Sequence, residues 1–188
     1  MMQSSTTKAD FTHTPCYCEE NTLLLLKQLI SQLPSDTKGY AVFVSNPSKS
    51  IPIWHQTKGN PVSSTSFLVY DLDSTLPFPS TAEVYSKLAL PILDPELTKY
   101  HRYYRVVEAH EYFKTFASDR RHMQKDGEWM APPPSYPGFE SEGTFFNLDV
   151  YWTMGPDDVE AGDRGDGFGR VFDEDGFHEW LQNGLEKT

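Results

Sequence analysis

Cys16-Tyr17-Cys18-Glu19-Glu20-Asn21 runs straight into Thr22-Leu23-Leu24-Leu25-Leu26-Lys27-Gln28-Leu29-Ile30. The apolar positions from Leu23 to Ile30 are too dense for an exposed helix. The pattern therefore predicts a helix inside the core, delivering Cys18 at its start and ending near Pro34-Ser35-Asp36. Glu19 and Glu20 fall in the first turn, where carboxylates suit the positive end of the helix dipole. A thiol held there faces unpaired backbone N–H groups, which favour thiolate and a pKa below the free value of ~8.5. That is one way to make a nucleophile. A lone cysteine is also commonly just a small packed residue, so the rest of the chain must decide.

The chain has 188 residues, of which 38% are hydrophobic and 14% aromatic, a composition that predicts a single globular domain with a real core. We place that domain at 15–188, after a flexible arm at 1–14. The net charge of −11 argues against nucleic-acid or anionic-membrane partners, either of which needs a basic face. It suits a cationic ligand. The Leu23–Leu26 run is far too short to span a bilayer, and Met1 to Asp10 lacks an apolar secretory core. The 2 cysteines lie one residue apart, a poor spacing for a disulfide staple, which predicts a reduced, intracellular chain. His13 with Cys16 and Cys18 lacks a fourth ligand and the usual zinc spacing, and Asp163, Asp166 and Asp173 do not fit an EF-hand. No metal is expected.

Further along, Tyr40 to Ser45 reads as a strand, with Ser50 to Gln56 as its antiparallel partner. Lys58 to Ser66 reads as a polar loop. Phe67 to Asp73 reads as the strongest strand, with Asp71 and Asp73 on one face at its end. Thr81 to Leu90 is a predicted capped helix, Glu96 to Tyr104 a helical turn, Tyr103 to Val107 a strand and His110 to Phe116 a short helix. Trp129 to Pro137 is proline-rich and extended. Asp157 to Gly169 reads as a mobile loop. Asp173 to Leu185 closes the chain as an amphipathic helix with Phe177, Trp180 and Leu181 on one face.

A cysteine at a helix start and carboxylates on a later strand are two parts of a Cys–His–Asp constellation. Several segments carry a resemblance. They are Cys16-Tyr17-Cys18-Glu19-Glu20-Asn21, Tyr40-Ala41-Val42-Phe43, Ile51-Pro52-Ile53-Trp54, Tyr70-Asp71-Leu72-Asp73 with Leu76-Pro77-Phe78-Pro79, Phe116-Ala117-Ser118-Asp119-Arg120 with His122-Met123, and Pro132-Pro133-Pro134 with Tyr136-Pro137. Together, and in this order, they resemble the protein N-terminal glutamine amidohydrolase family from Cys16 to about Val171.

The resemblance implies an α+β, papain- or transglutaminase-like fold, with an N-terminal core helix carrying the cysteine packed on an antiparallel sheet. It implies deamidation of N-terminal glutamine to glutamate on proteins and peptides, feeding the N-degron pathway, by a cofactor-free monomer in the cytoplasm or nucleus. Carried over by motif, Cys18 is the nucleophile and Asp71 the triad carboxylate. The triad histidine has no counterpart. In the family it lies in a Trp-Asp-Tyr-His strand between the Ile-Pro-Ile-Trp and Tyr-Asp-Leu-Asp segments, whereas this sequence runs from Pro61-Val62 through Ser63-Ser64-Thr65-Ser66 directly into Phe67. Among the six histidines of the chain, His55 is the first to consider as a replacement, ahead of His122, with His13, His101, His110 and His178 in segments that look peripheral. A missing base typically costs about four to six powers of ten in rate. The rival readings are therefore a catalytically inactive relative or isoform that still binds N-terminal glutamine, and a thiol protease. A site demanding a free terminus needs acceptors for its ammonium, for which Glu20, Asp73 and Asp119 are candidates.

Overall fold

Helix α1 (Cys18–Gln32) is buried on two sides, which explains its run of leucines. A computed structural model describes residues 6–55 and 67–183. In it, Leu23 and Leu26 of α1 enter a cluster with Ala41, Val107, Tyr112, Phe116 and Tyr151. Leu25 and Leu29 face the other way, onto Phe11, with Tyr70, Leu72 and Phe78 packed alongside. Chain order continues with β1 (Tyr40–Ser45), β2 (Leu68–Val69), β3 (Ser80–Thr81), α2 (Ala82–Leu88), β4 (Tyr103–Glu108) and α3 (Ala109–Thr115). Then come β5 (Gln124–Lys125), β6 (Glu128–Trp129), α4 (Leu148–Trp152), α5 (Pro156–Ala161), β7 (Arg170–Phe172) and α6 (Glu174–Asn183).

The fold is α+β. Its main sheet is antiparallel throughout, in the order β1-β4-β7. The central strand β4 is buried on both faces, and the register shows how. Ala41 opposes Val107 and Phe43 opposes Arg105, on the face that meets α1 and Tyr151. Val42 opposes Val106 and Val44 opposes Tyr104 on the other face. There Tyr104 stacks on Phe177 of α6, ring centroids 4.0 Å apart, and Trp180 packs against Phe177. The predicted apolar face of the last helix is thus realised, with Phe177 and Trp180 buried and Leu181 packed against the same cluster.

Several expectations need correction. The partner of β1 is β4, not residues 50–56: Pro52 has no N–H to donate to a ladder, and its carbonyl instead accepts from the Arg102 guanidinium at 3.3 Å. The strand foreseen at 67–73 shrinks to Leu68–Val69, paired with β3, so Asp71 and Asp73 lie in a turn rather than on a strand face. The loop foreseen at 157–169 contains α5, begun by Pro156, and its end is tied to the core where Phe168 O accepts from Arg105. Residues 7–14, read as part of a flexible arm, are seated on the domain: Phe11 is buried, and Lys8 Nζ donates to the carbonyls of Leu72 and Ser74. The predicted loop at 58–66, the Val62–Ser63 junction and the end of the last helix at Leu185 lie outside the described residues.

Candidate active site

The turn before α1 is built by one asparagine. Asn21 Oδ1 accepts from Thr14 N at 2.9 Å and Asn21 Nδ2 donates to Thr14 O at 2.8 Å, clamping the incoming chain to the first turn of the helix. Thr14 O also accepts from Tyr17 N at 3.2 Å. Behind this turn, Glu20 is fully buried and grips Arg120 through both oxygens, at 2.8 Å from Nε and 2.9 Å from Nη2. Arg120 also donates to the carbonyls of Pro134 and Pro137, and Tyr17 donates to Ala131 O. The proline-rich stretch is thereby strapped across the start of α1. Glu20 has no role left in meeting a substrate ammonium, since both its oxygens are committed in the core. Asp119 is engaged by its neighbour Arg121.

Cys18 is the first residue of α1 and is solvent-exposed. Its Sγ lies 3.6 Å from Glu19 Oε2. The expected lowering of the thiol pKa is not found: the protein crowded around the sulfur, then the Glu19 and Asp73 carboxylates, push it up to about 12. Desolvation and two negative charges outweigh the helix start. Glu19 was not foreseen as part of this site, although its position directly after the cysteine was a usable signal. It is 7% exposed, Tyr112 donates to its carbonyl at 2.9 Å, and its Oε1 lies 3.2 Å from His122 Nε2. That contact is close enough for charge attraction but misaligned as a hydrogen bond, since Oε1 has no hydrogen-bond partner among the described residues. His122 is packed beside Phe146 and Trp152.

The Asp71–Ser74 turn supplies the other side of the site. Asp71 Oδ1 accepts from the backbone N–H groups of Asp73 and Ser74 at 2.9 and 3.1 Å, and Oδ2 accepts from Tyr85 Oη at 2.6 Å. Asp71 thus holds the turn that presents Asp73. Asp73 Oδ1 in turn lies 3.0 Å from His13 Nε2. The structure therefore gathers Cys18, Glu19, Asp73 and His13, with His122 behind Glu19. His55 contributes differently: it has a left-handed backbone, and its carbonyl accepts from Thr75 N at 2.8 Å and from Thr75 Oγ1 at 2.6 Å. Among the described residues no group of His, Cys, Asp and Glu is arranged to hold a metal ion.

This geometry predicts the effect of one charge. Glu19→Gln removes the nearer carboxylate, so the Cys18 thiol should ionise at lower pH. Iodoacetamide labelling of Cys18 at pH 8, followed by peptide mass spectrometry, should accelerate by about tenfold, the effect of one pKa unit on a minor thiolate population. An unchanged rate would mean that burial alone sets the thiol.

Known proteins share this arrangement of sequence. A family profile described as N-terminal glutamine amidase matches residues 13–181. A protein N-terminal glutamine amidohydrolase of Oryza sativa subsp. indica is 40% identical over 176 residues, covering 80% of this chain and 75% of that protein. One of Arabidopsis thaliana is 40% identical over 167 residues, covering 77% and 76%, and one of Drosophila mojavensis is 42% identical over 154 residues, covering 69% and 72%. The match begins at His13, takes in the clamped turn, Cys18 and the Asp71–Ser74 turn, and ends within α6. The chain belongs to the N-terminal glutamine amidase family.

Proposed function

We propose that this chain hydrolyses the side-chain amide of an N-terminal glutamine, with Cys18 as nucleophile. The observation that carries this reading is the placement of an exposed thiol at the start of a core helix, flanked by the Glu19 and Asp73 carboxylates, in a chain of this family. The sulfur forms a bond to the amide carbon, the C–N bond breaks, and ammonia leaves with the thiol proton. Water then attacks the thioester, releasing glutamate and returning the proton to sulfur. The free ammonium at the substrate's first residue lies a few bonds from its amide. Glu19 and Asp73 stand where that cation would be, and its charge would offset the two that hold the thiol protonated. Asp71, the family's triad carboxylate by motif, serves here as a positioning residue through the turn it organises. The helix-borne cysteine against an antiparallel sheet accords with a papain- or transglutaminase-like arrangement. We assign the chain to the cytoplasm or nucleus, acting as a monomer in the N-degron pathway.

One observation favours a second reading. A thiol pushed up to about 12 is a weak nucleophile by itself, as expected of a relative that binds N-terminal glutamine without turnover. Mass spectrometry of a Gln-initiated peptide beside its Nα-acetylated twin separates the two. Amide-to-acid conversion of the free peptide alone is the expected result. Retention of the free peptide without conversion would replace hydrolysis by binding, and equal conversion of both would remove the ammonium from the argument.

A further inference from the structure

We propose that His13, oriented by Asp73, is the base that serves Cys18 in this chain. The inference rests on the amidase reading and supplies the imidazole that the sequence pattern lacks.

The placement comes from three independent ties. First, residue 14 is clamped by Asn21, which lies three residues after Cys18 and therefore on the same face of α1. Side chains on a helix lean toward its N-terminus, so Asn21 holds Thr14, and with it the neighbouring His13, over the turn that carries the thiol. Second, the His13 ring is fixed on the far side by Asp73, whose carboxylate lies close enough to Cys18 to act on its thiol. Third, Asp73 is itself set by the Asp71 carboxylate beneath the turn. The carboxylate at Nε2 selects the tautomer with hydrogen on that nitrogen and leaves Nδ1 with a lone pair to accept a proton. A carboxylate that orients an imidazole beside a thiol is the arrangement nucleophilic hydrolases require, whatever the chain order.

His122 is the competing imidazole, and the geometry disfavours it. Glu19 stands between it and the thiol, and its side chain is only 16% exposed, against 34% for His13. A base that also protonates departing ammonia needs an imidazole open to solvent, and His13 is the more exposed of the two. In the attack, His13 Nδ1 takes the thiol proton as the S–C bond forms, then delivers it to the amide nitrogen as the C–N bond breaks. In the second half it takes a proton from water as the C–O bond forms, and returns it to sulfur as the thioester opens. No oxidant or further reactant is needed.

Among the described residues the charged group in contact with His13 is Asp73; Asp71 holds the turn that carries Asp73, Lys8 binds the Leu72 and Ser74 carbonyls of the same turn, and Glu19 lies beside the Cys18 thiol. The test is a pH profile of two readouts in the full chain carrying Cys16→Ser: turnover of a Gln-initiated peptide, and iodoacetamide labelling of Cys18. Both should rise with pH through a limb that His13→Gln removes, leaving labelling that climbs only at alkaline pH. Turnover should fall by about a hundredfold or more, the usual worth of a positioned proton acceptor. Circular dichroism checks the fold, and His122→Gln, measured alongside, should keep the limb. A limb that persists in His13→Gln, that vanishes in His122→Gln instead, or that is absent from the parent, would overturn the assignment. Should the parent label through the limb but convert no peptide, the amidase reading fails while the pairing of His13 with Cys18 stands.

Discussion

Cys18→Ala should abolish conversion of a Gln-initiated peptide, lowering the rate by about four powers of ten or more, because among the described residues of the site it is the nucleophile that would carry the acyl intermediate. The same substitution should leave the fold alone. Cys18 is exposed at the first position of α1, and alanine is the best of helix formers, so stability should move by no more than about 0.5 kcal/mol. Cys16 provides the control. It too is exposed, two residues earlier, with a left-handed backbone, and it precedes the helix that carries Cys18. Cys16→Ser should therefore retain conversion. Mass spectrometry of the peptide after incubation with each purified variant reads the outcome. Loss in Cys16→Ser with retention in Cys18→Ala would move the nucleophile and undo the site as drawn.

Arg120→Leu should unfold much of what surrounds that nucleophile. The substitution leaves the Glu20 carboxylate fully buried with both oxygens stripped of their charged donors, and it frees the Pro134 and Pro137 carbonyls as well. Breaking a buried pair from one side costs about 3–5 kcal/mol, because the surviving charge cannot be solvated. For a chain of this size that corresponds to a fall in Tm on the order of 10 °C, readable by scanning calorimetry. Glu20→Gln combined with Arg120→Leu should recover part of the loss, since the pair's removal is far less costly than its breakage. A Tm within a degree or two of the parent in Arg120→Leu would show that water reaches Glu20 after all.

The helix was legible because its apolar density left it no exposed face, and residue type narrowed the cap of α2 to Ser80 or Thr81, of which Thr81 accepts from Val84 N. Strand pairing was not. Ser50 to Gln56 looks like a hairpin partner for β1 by proximity, but β4, some sixty residues on, offers N–H groups at every position whereas Pro52 does not. Local pattern carries no record of which distant strand completes a ladder. Nor did spacing reveal that Asp71 and Asp73 would part company. Side-chain capture of the backbone by Asp71 turned the segment and sent the two carboxylates to different tasks. At the site, the dipole and N–H groups of a helix start are written in the sequence, whereas the desolvation and neighbouring charges that decide the thiol's state are not. His13 looked peripheral because its segment has no helical or strand periodicity. What seats it is a pair of hydrogen bonds from Asn21 to the next residue's backbone, which no composition discloses.

The double-sided burial of α1 sets the helix between two layers of different make-up. Leu23 and Leu26 are locked into the sheet's core while Leu25 and Leu29 are covered from the other side, so the backbone under the thiol has no surface along which to shift. The covering layer is different in kind. Residues 7–14 and 70–78 meet α1 through a handful of aromatic and apolar side chains, the Gln28 amide donating to Asp10 O, and the Asn21 clamp. The thiol is thus carried by the helix held from both sides, while His13 and Asp73 are carried by the layer that covers it.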